Sequence, residues 1–265
     1  MAQPRPKTTR LDVVVAERSG VTRSHARSLI MAGRVRVDGR ALTKPGTSVA
    51  DDAQLEIERP RPFVSRGGEK LEAALERFAL DVRGLRALDV GASTGGFTDC
   101  LLHRGAASVV AVDVGYGQLA WELREDARVT VVERTNFREL PDDAFPEGFD
   151  LIVADVSFIS LRTILRRALQ YLRESGTVVA LVKPQFEAGR ASVSRGGVVR
   201  DPQTHRAVLR EFRAAAAELG VGVVAAMVSP LRGPAGNVEF LVELRRGPHH
   251  VDESELDRIV QEAHG

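Results

Sequence analysis

The sequence predicts an α/β protein in which a mostly parallel seven-stranded sheet, covered by helices on both faces, follows a small α+β unit. Over residues 65–265, near-continuous apolar runs alternate with helical stretches, as expected for parallel strands buried on both faces. Residues 1–59 follow a different pattern, two short helices and then a β-hairpin. Between them Pro60-Arg61-Pro62 resists helix and strand alike, so we predict a linker over residues 60–64.

The first unit contains its own helix and turn signals. Apolar residues at helical spacing predict a first helix and then a second one, which begins at Thr22 or Ser24 and ends at Gly33. An alternating stretch then reaches the turn pair Asp38-Gly39, which predicts a hairpin, and residues 54–58 alternate as a further strand. A compact unit of this size lies near the lower limit for independent folding.

The charge of the chain is unevenly distributed. The whole sequence carries +1, but residues 1–44 contain ten basic and three acidic residues, a net charge of +7. A basic end on an otherwise acidic protein favours a large anionic partner, most often nucleic acid, although a solvated arm without function is the alternative. Arg23 and Arg27 share a helix face and Arg34 and Arg36 share a strand face, so these four are the predicted RNA contacts.

Composition excludes several classes of protein. The single cysteine, Cys100, rules out a disulfide framework and a multi-cysteine zinc site, and the six histidines lack metal-ligand spacing, so we expect no metal. No apolar run approaches the roughly 18 residues of a membrane span, and the N-terminus lacks the apolar stretch of a secretory signal. We therefore expect a cytoplasmic protein, and nothing indicates a stable protein partner. Cys100, Phe97 and Trp121 are predicted to be buried.

In the larger unit, the apolar runs place seven strands. They cover residues 87–90, 108–113, 129–132, 151–155, 178–182, 221–228 and 238–244. A long helix begins at Asp201-Pro202, with Asp as the cap and Pro at the first helical position, and ends at Gly220. A further helix is expected after Pro248.

A glycine-rich turn follows the first of these strands. Its spacing is G-x-x-x-G-G from Gly91, and such glycines permit a positive φ and close approach of a ligand. The next strand ends at Asp113, 22 residues beyond Gly91, in a position to accept hydrogen bonds from two ribose hydroxyls. A tight turn without a ligand and a dinucleotide site are the alternatives. Loops 114–118 and 133–136 are expected on the adenine side. The predicted cofactor-binding residues are Asp89, Gly91, Ser93, Gly95, Gly96, Phe97, Asp113 and Asn136.

Four polar residues fall at one edge of the predicted sheet. Asp155 and Lys183 lie at the ends of predicted strands, and Glu239 lies at the beginning of the last strand. Lys70 lies at the start of the first helix of the larger unit. Open α/β sheets bind ligands beyond the carboxyl ends of their strands, and an antiparallel last strand would bring its start to that edge. Taken singly, these residues have simpler interpretations: Asp155 would cap the next helix, and Lys183 and Glu239 would form a surface ion pair.

Lysine is rare in this chain. Only four of the 37 basic residues are lysine, at positions 7, 44, 70 and 183. Arginine can replace lysine where only positive charge is needed, but not where a titratable amine is needed. Lys70 and Lys183 are therefore the candidate amines for chemistry.

These motifs resemble known families. The segment TRSHARSLIMAGRVRVDGRALTKPG, residues 22–46, resembles the RNA-binding fold named after the fourth ribosomal protein of the small subunit, and the resemblance covers about residues 9–58. The glycine turn resembles the first motif of S-adenosylmethionine-dependent methyltransferases. Lys70, Asp155, Lys183 and Glu239 look like the tetrad of FtsJ-type ribose 2′-O-methyltransferases. With SRGGEKL, VDVGYGQL, ADVSFIS and VKPQFE, the chain is similar over nearly its whole length to the TlyA family.

The resemblance implies a Rossmann-like class I methyltransferase domain that acts on a cytidine in ribosomal RNA of the small and possibly the large subunit. In this hypothesis Lys183 accepts or guides the hydroxyl proton, and Asp155 orients Lys183 and the methyl donor. Lys70 and Glu239 would tune and align the hydroxyl, and like-charge repulsion from Lys70 would favour the neutral, proton-accepting form of Lys183. Phe158 is placed to stack on a flipped base.

Two other functions remain open. The chain could be an RNA-binding ribosome assembly factor that has lost catalysis, although the intact tetrad argues against this. The family also carries a historical haemolysin label, which suggests a membrane-lytic protein. The absence of a signal and of a membrane span in the sequence counts against that function.

Overall fold

A computed structural model describes residues 7–57, 62–189, 193–194, 196–248 and 251–265. The chain divides into two compact units, residues 1–61 and 62–265. The predicted boundary after residue 59 and the first residues of the predicted linker, Pro60 and Arg61, lie outside the described residues.

The first unit packs two helices against short strands. Its elements are β1 (Thr8–Arg10), α1 (Leu11–Ser19), α2 (Arg23–Met31), β2 (Val35–Val37), β3 (Arg40–Ala41), β4 (Ser48–Ala50) and β5 (Leu55–Ile57). Thr22 is the residue that caps α2, since its side chain accepts a hydrogen bond from the backbone N–H of His25. Leu11, Val15 and Ile30 are fully buried in the core of this unit.

The predicted hairpin is present, and one strand pair was missed. Strands β3, β2 and β5 form an antiparallel sheet, with Asp38 and Gly39 at positive φ in the turn between β2 and β3. Strand β1 pairs with β4 in a second, two-stranded sheet that the sequence did not predict. Both strands have only three residues and little apolar alternation, so they carry almost no strand signal of their own.

The second unit is the predicted doubly covered sheet. Its strands are β6 (Arg86–Val90), β7 (Ser108–Val112), β8 (Val129–Val132), β9 (Phe149–Ala154), β10 (Leu172–Val182), β11 (Val221–Val228) and β12 (Phe240–Arg246). Its helices are α3 (Arg66–Arg77), α4 (Gly96–His103), α5 (Trp121–Arg124), α6 (Leu161–Tyr171), α7 (Pro184–Glu187), α8 (Pro202–Glu218) and α9 (Glu253–His264), with a 3₁₀ turn at Phe137–Glu139.

The strand order of the large sheet is β11-β12-β10-β9-β6-β7-β8. Strand β12 is antiparallel to β10 and β11, which confirms the predicted antiparallel last strand, and the remaining neighbours pair in parallel. One apolar cluster joins α6, α8 and α9 to one face, and a second joins α3, α4 and α5 to the other. No helix in the described ranges is long and apolar enough to cross a membrane.

Three local predictions were wrong. Strand β10 begins at Leu172 rather than at residue 178, because the polar stretch before Thr177 pairs irregularly with β9. Glu239 lies just before β12 instead of beginning it. Trp121 is 71% exposed and is not a core residue, whereas Phe97 and Cys100 are buried as predicted.

Candidate active site

The carboxyl ends of the parallel strands enclose a cavity of about 500 Å³. Gly91 follows β6 at φ +84°, and a Cβ on it would lie 2.8 Å from the backbone oxygen of Asp155. The ends of β6 and β9 therefore approach so closely that only glycine fits between them. Of the predicted cofactor-binding residues, Gly91, Ser93, Asp113 and Asn136 line this cavity.

Asp113 connects the glycine turn to the loop after β7. Its Oδ2 accepts a hydrogen bond from the backbone N–H of Ser93 at 2.8 Å, and its Oδ1 accepts one from Gly115 at 2.6 Å. A carboxylate oxygen has more than one acceptor position, so each oxygen can still accept a hydroxyl from the cavity. Asp113 thus holds the wall in place and offers acceptors to a ligand.

The other four predicted cofactor contacts do not line the cavity. Asp89 and Phe97 are 0% and 3% exposed. An added Cβ on Gly95 would collide with Leu119 and one on Gly96 with the backbone of Gly68, at 2.8 Å in each case. These residues pack the helices around the turn, and their contact with a cofactor stays a prediction.

The buried side chain of Asp89 stabilises the start of α4. Its Oδ2 accepts hydrogen bonds from the backbone N–H and the hydroxyl of Thr98, at 2.9 Å and 2.7 Å, while Oδ1 is buried without a partner. Burial raises the pKa of Asp89 to about 7, with smaller contributions from the carboxylates of Asp155 and Asp113. A protonated carboxyl is therefore the stable form below neutral pH.

The four tetrad residues form two ion pairs at this edge. Lys183 Nζ lies 2.6 Å from Asp155 Oδ1, and Lys70 Nζ lies 2.6 Å from Glu239 Oε2. Lys70 and Glu239 are 6% and 2% exposed. Val182 pairs with Phe240 in the β10–β12 ladder, so the next position along brings Lys183 and Glu239 opposite one another. The sheet thereby gathers residues that are up to 169 positions apart.

This arrangement contradicts the simpler interpretations of single residues. Helix α6 starts at Leu161 and is capped by Ser160, so Asp155 is not its cap. Lys183 pairs with Asp155 rather than with Glu239, and Glu239 is buried rather than on the surface. Buried charges need partners to offset their desolvation, and here each has one.

The structure also changes the expected role of Lys70. Its ammonium donates a hydrogen bond to Glu239 at 2.6 Å, so the positive charge is largely neutralised within its own pair. Like-charge repulsion of Lys183 by a bare Lys70 ammonium is therefore a poor description of the site. Gln185 Nε2 lies 3.4 Å from the other Glu239 oxygen and completes the polar contacts of that carboxylate.

Phe158 projects at the cavity rim. It is 91% exposed, adopts a positive φ of 65°, and its ring lies 5.2 Å from that of Phe186. A strained, exposed aromatic residue beside a cavity is costly to keep for packing alone. A planar ligand face would find a stacking surface here.

Sequence reasoning missed two polar residues beside the tetrad. Ser157 Oγ accepts a hydrogen bond from Lys183 at 2.9 Å. Gln185 Nε2 contacts Glu239. Each lies within a segment singled out for other residues, but serine and glutamine give no chemical signal in sequence unless their neighbours in space are known.

In the first unit, the four predicted RNA contacts are all exposed. Arg23 is partly engaged, since its Nε donates to Asp12 Oδ2 at 3.1 Å. The Arg10 guanidinium beside Asp12 lowers the pKa of that buried carboxyl to about 2.

The other predicted RNA contacts are less engaged. Arg36 donates to the Gly39 carbonyl at 3.2 Å, and the side chains of Arg27 and Arg34 make no ion pair within the described residues. Of the four predicted contacts, these two are therefore the least engaged by other side chains of the unit.

Comparison with known proteins agrees with this architecture. Residues 9–55 match the S4 domain, and residues 63–246 match the FtsJ-like methyltransferase family. The chain is 52% identical over 244 residues to a Mycobacterium tuberculosis protein named 16S/23S rRNA (cytidine-2′-O)-methyltransferase TlyA, covering 90% of each chain. It is 46% identical over 266 residues to Bacillus subtilis YqxC, covering 97% of this chain and 95% of that one.

A solved structure of a haemolysin-labelled protein from Streptococcus thermophilus superposes with a TM-score of 0.76. The two are 41% identical, and the match covers 98% of this chain and 97% of that one. The two domains, the two ion pairs at the edge of the sheet and these relatives lead to one conclusion: the chain belongs to the FtsJ-like methyltransferases, within the TlyA family.

Proposed function

We propose that this chain transfers a methyl group from S-adenosylmethionine to the ribose 2′-hydroxyl of a cytidine in ribosomal RNA. The observation that carries the proposal is the Lys183–Asp155 pair, at 2.6 Å, on the edge of a cavity built around a glycine turn. The names of the relatives support ribosomal RNA as the substrate. We place the reaction in the cytoplasm, where ribosomal subunits are found.

The cavity fits a nucleoside-containing methyl donor. Asp113 offers carboxylate oxygens for ribose hydroxyls, and Asn136, which also lines the cavity, can contact the adenine edge. Gly91 and Ser93 leave room for the methionine part beside the turn. When bound, the donor supplies a methyl group already activated by sulfonium charge, so the protein need not activate the carbon.

The remaining task is to prepare the hydroxyl. A ribose 2′-hydroxyl is a weak nucleophile at neutral pH, so its proton must leave as the new bond forms. In our proposal Lys183 Nζ receives or guides that proton, and Asp155 holds the amine beside the cavity. Lys70 and Glu239 align the hydroxyl, and Phe158 stacks on the base of the target nucleotide.

The first test is methyl transfer from a labelled donor to purified small and large ribosomal subunits. The wild-type chain should label at least one subunit, and Lys183→Ala should lower kcat by about 100-fold or more. Its Kd for S-adenosylmethionine should stay within about threefold, because Lys183 does not line the walls that hold the donor.

Arg258→Ala is a suitable control, since it removes a cation from an exposed position on α9. Its kcat should equal that of the wild type. Full activity of Lys183→Ala would contradict the assignment of Lys183. A wild-type chain that binds RNA and the donor but transfers no methyl group would instead favour a non-catalytic assembly factor.

A further inference from the structure

We infer that Ser157 is a positioning residue that aims the Lys183 amine at the substrate hydroxyl; this inference rests on the proposed function. Ser157 lies three residues beyond the end of β9, exposed on the cavity wall. Its Oγ accepts a hydrogen bond from Lys183 Nζ at 2.9 Å. This contact links the loop after β9 to the end of β10.

The two partners of Lys183 constrain it in different ways. Asp155 Oδ1 is 2.6 Å from Nζ as an ion pair, but this oxygen makes no hydrogen bond within the described residues. Asp155 therefore attracts the amine by charge without fixing where its hydrogens point. The bond to Ser157 satisfies both distance and angle, so it is the directional contact of the two.

A directional bond matters because an amine rotates freely about its last carbon–nitrogen bond. An ammonium has three N–H positions in tetrahedral arrangement, and the neutral amine replaces one of them by a lone pair. Once one N–H points at Ser157, rotation about the Cε–Nζ bond is fixed. With Asp155 attracting a second N–H, the third position remains for the 2′-hydroxyl.

The transfer step then balances as follows. The 2′-oxygen forms a bond to the donor methyl carbon, and the carbon–sulfur bond breaks with its electron pair remaining on sulfur. The hydroxyl proton passes to the lone pair of neutral Lys183 and is later released to solvent. Ser157 exchanges no proton in this step; it keeps its hydrogen and only accepts from the amine.

The test compares Ser157→Ala with Ser157→Thr under saturating donor and ribosomal subunits. Ala removes the acceptor, and kcat should fall by about tenfold or more, while KM for RNA and Kd for the donor change by less than about threefold. Thr retains a hydroxyl at this exposed position, and should restore kcat to within about threefold of wild type.

Ser254→Ala, at an exposed serine near the start of α9, is the matched control and should keep wild-type kcat. Donor binding by each variant verifies that the cavity is intact. Wild-type kcat in Ser157→Ala, or loss of kcat in both Ala and Thr variants, would overturn the inference. An inactive wild-type chain would overturn the proposed function and this inference together, whereas an active wild type with an active Ser157→Ala overturns the inference alone.

Discussion

Asp89 shows how one residue can serve the fold of a binding site without touching the ligand. Its carboxyl is fully buried, accepts two hydrogen bonds from Thr98 and leaves one oxygen without a partner. The sequence placed Asp89 correctly at the end of a strand before the glycine turn. It could not show that the side chain points into the protein, because orientation depends on the helix that packs beneath the turn.

The raised pKa of Asp89 predicts a pH-dependent stability. The unfolded carboxyl has an ordinary pKa of about 4, whereas the pKa of the folded one is about 7. Between these values the folded chain holds a proton that the unfolded chain has released, so Asp89 lowers stability as pH rises through this window. The free energy of unfolding of Asp89→Asn, relative to that of wild type, should therefore increase by roughly 2–3 kcal/mol from about pH 5 to about pH 8.

The measurement is the difference in thermal midpoint between variant and wild type at the two pH values. Asp81→Asn is the control: the pKa of Asp81 is lowered to about 2 by Arg83, so its stabilising effect is complete above the ordinary pKa and lost only in acid. That variant should show a constant difference from about pH 5 to pH 8. A constant difference for Asp89→Asn as well would contradict a neutral buried carboxyl.

At the scale of elements, the strand ends determine which side chains meet. Parallel order brings the ends of β9 and β10 together, and the antiparallel β12 brings Glu239 to the same edge. The sequence predicted this edge because the apolar runs are continuous and each ends in a polar residue. It could not predict that Ser157 contacts Lys183, because this contact depends on how the loop after β9 bends toward the end of β10. Nor could it predict the short β1–β4 pair.

The junction of β6 and β9 gives a second prediction. Gly91→Ala should destabilise the chain by about 2–4 kcal/mol, because the added Cβ meets a backbone oxygen and φ is positive. It should also weaken donor binding, since the turn lines the cavity. Both effects are measurable by thermal unfolding and by titration with S-adenosylmethionine.

Gly84→Ala separates the two causes. Gly84 has a comparable φ of +73°, but an added Cβ there would have nothing within 4 Å. This variant should lose only about 1 kcal/mol, for the backbone conformation, and should keep donor affinity. Equal losses in the two variants would show that the close approach of the strands is not what requires glycine at position 91.

At the scale of the whole molecule, a basic unit is joined to an acidic one. The near-neutral total of +1 is the sum of a +7 segment over residues 1–44 and a remainder of opposite sign. This division can be counted from the sequence alone, because it requires only residue types. The structure was needed to show which arginines are engaged in ion pairs, since Arg23 contacts Asp12 whereas Arg27 does not.

This division predicts that RNA binding and donor binding separate by unit. Arg27→Glu and Arg34→Glu should each weaken binding of ribosomal subunits several-fold at low salt and reduce the salt dependence of the affinity. Both should leave the Kd for S-adenosylmethionine unchanged. The same charge reversal at Arg258, on α9, should have a smaller effect on RNA affinity. Equal losses in all three variants would indicate attraction by total charge rather than by the first unit.

The most direct test of ribose methylation identifies the atom that receives the methyl group. A free 2′-hydroxyl attacks the neighbouring phosphate in alkali and breaks the RNA strand, and a 2′-O-methyl group blocks that cleavage. Ribosomal RNA treated with the wild-type chain and S-adenosylmethionine should acquire an alkali-resistant bond following a cytidine, and RNA treated with Lys183→Ala should not. Methyl incorporation without any alkali-resistant bond would place the methyl on a base and would contradict ribose methylation.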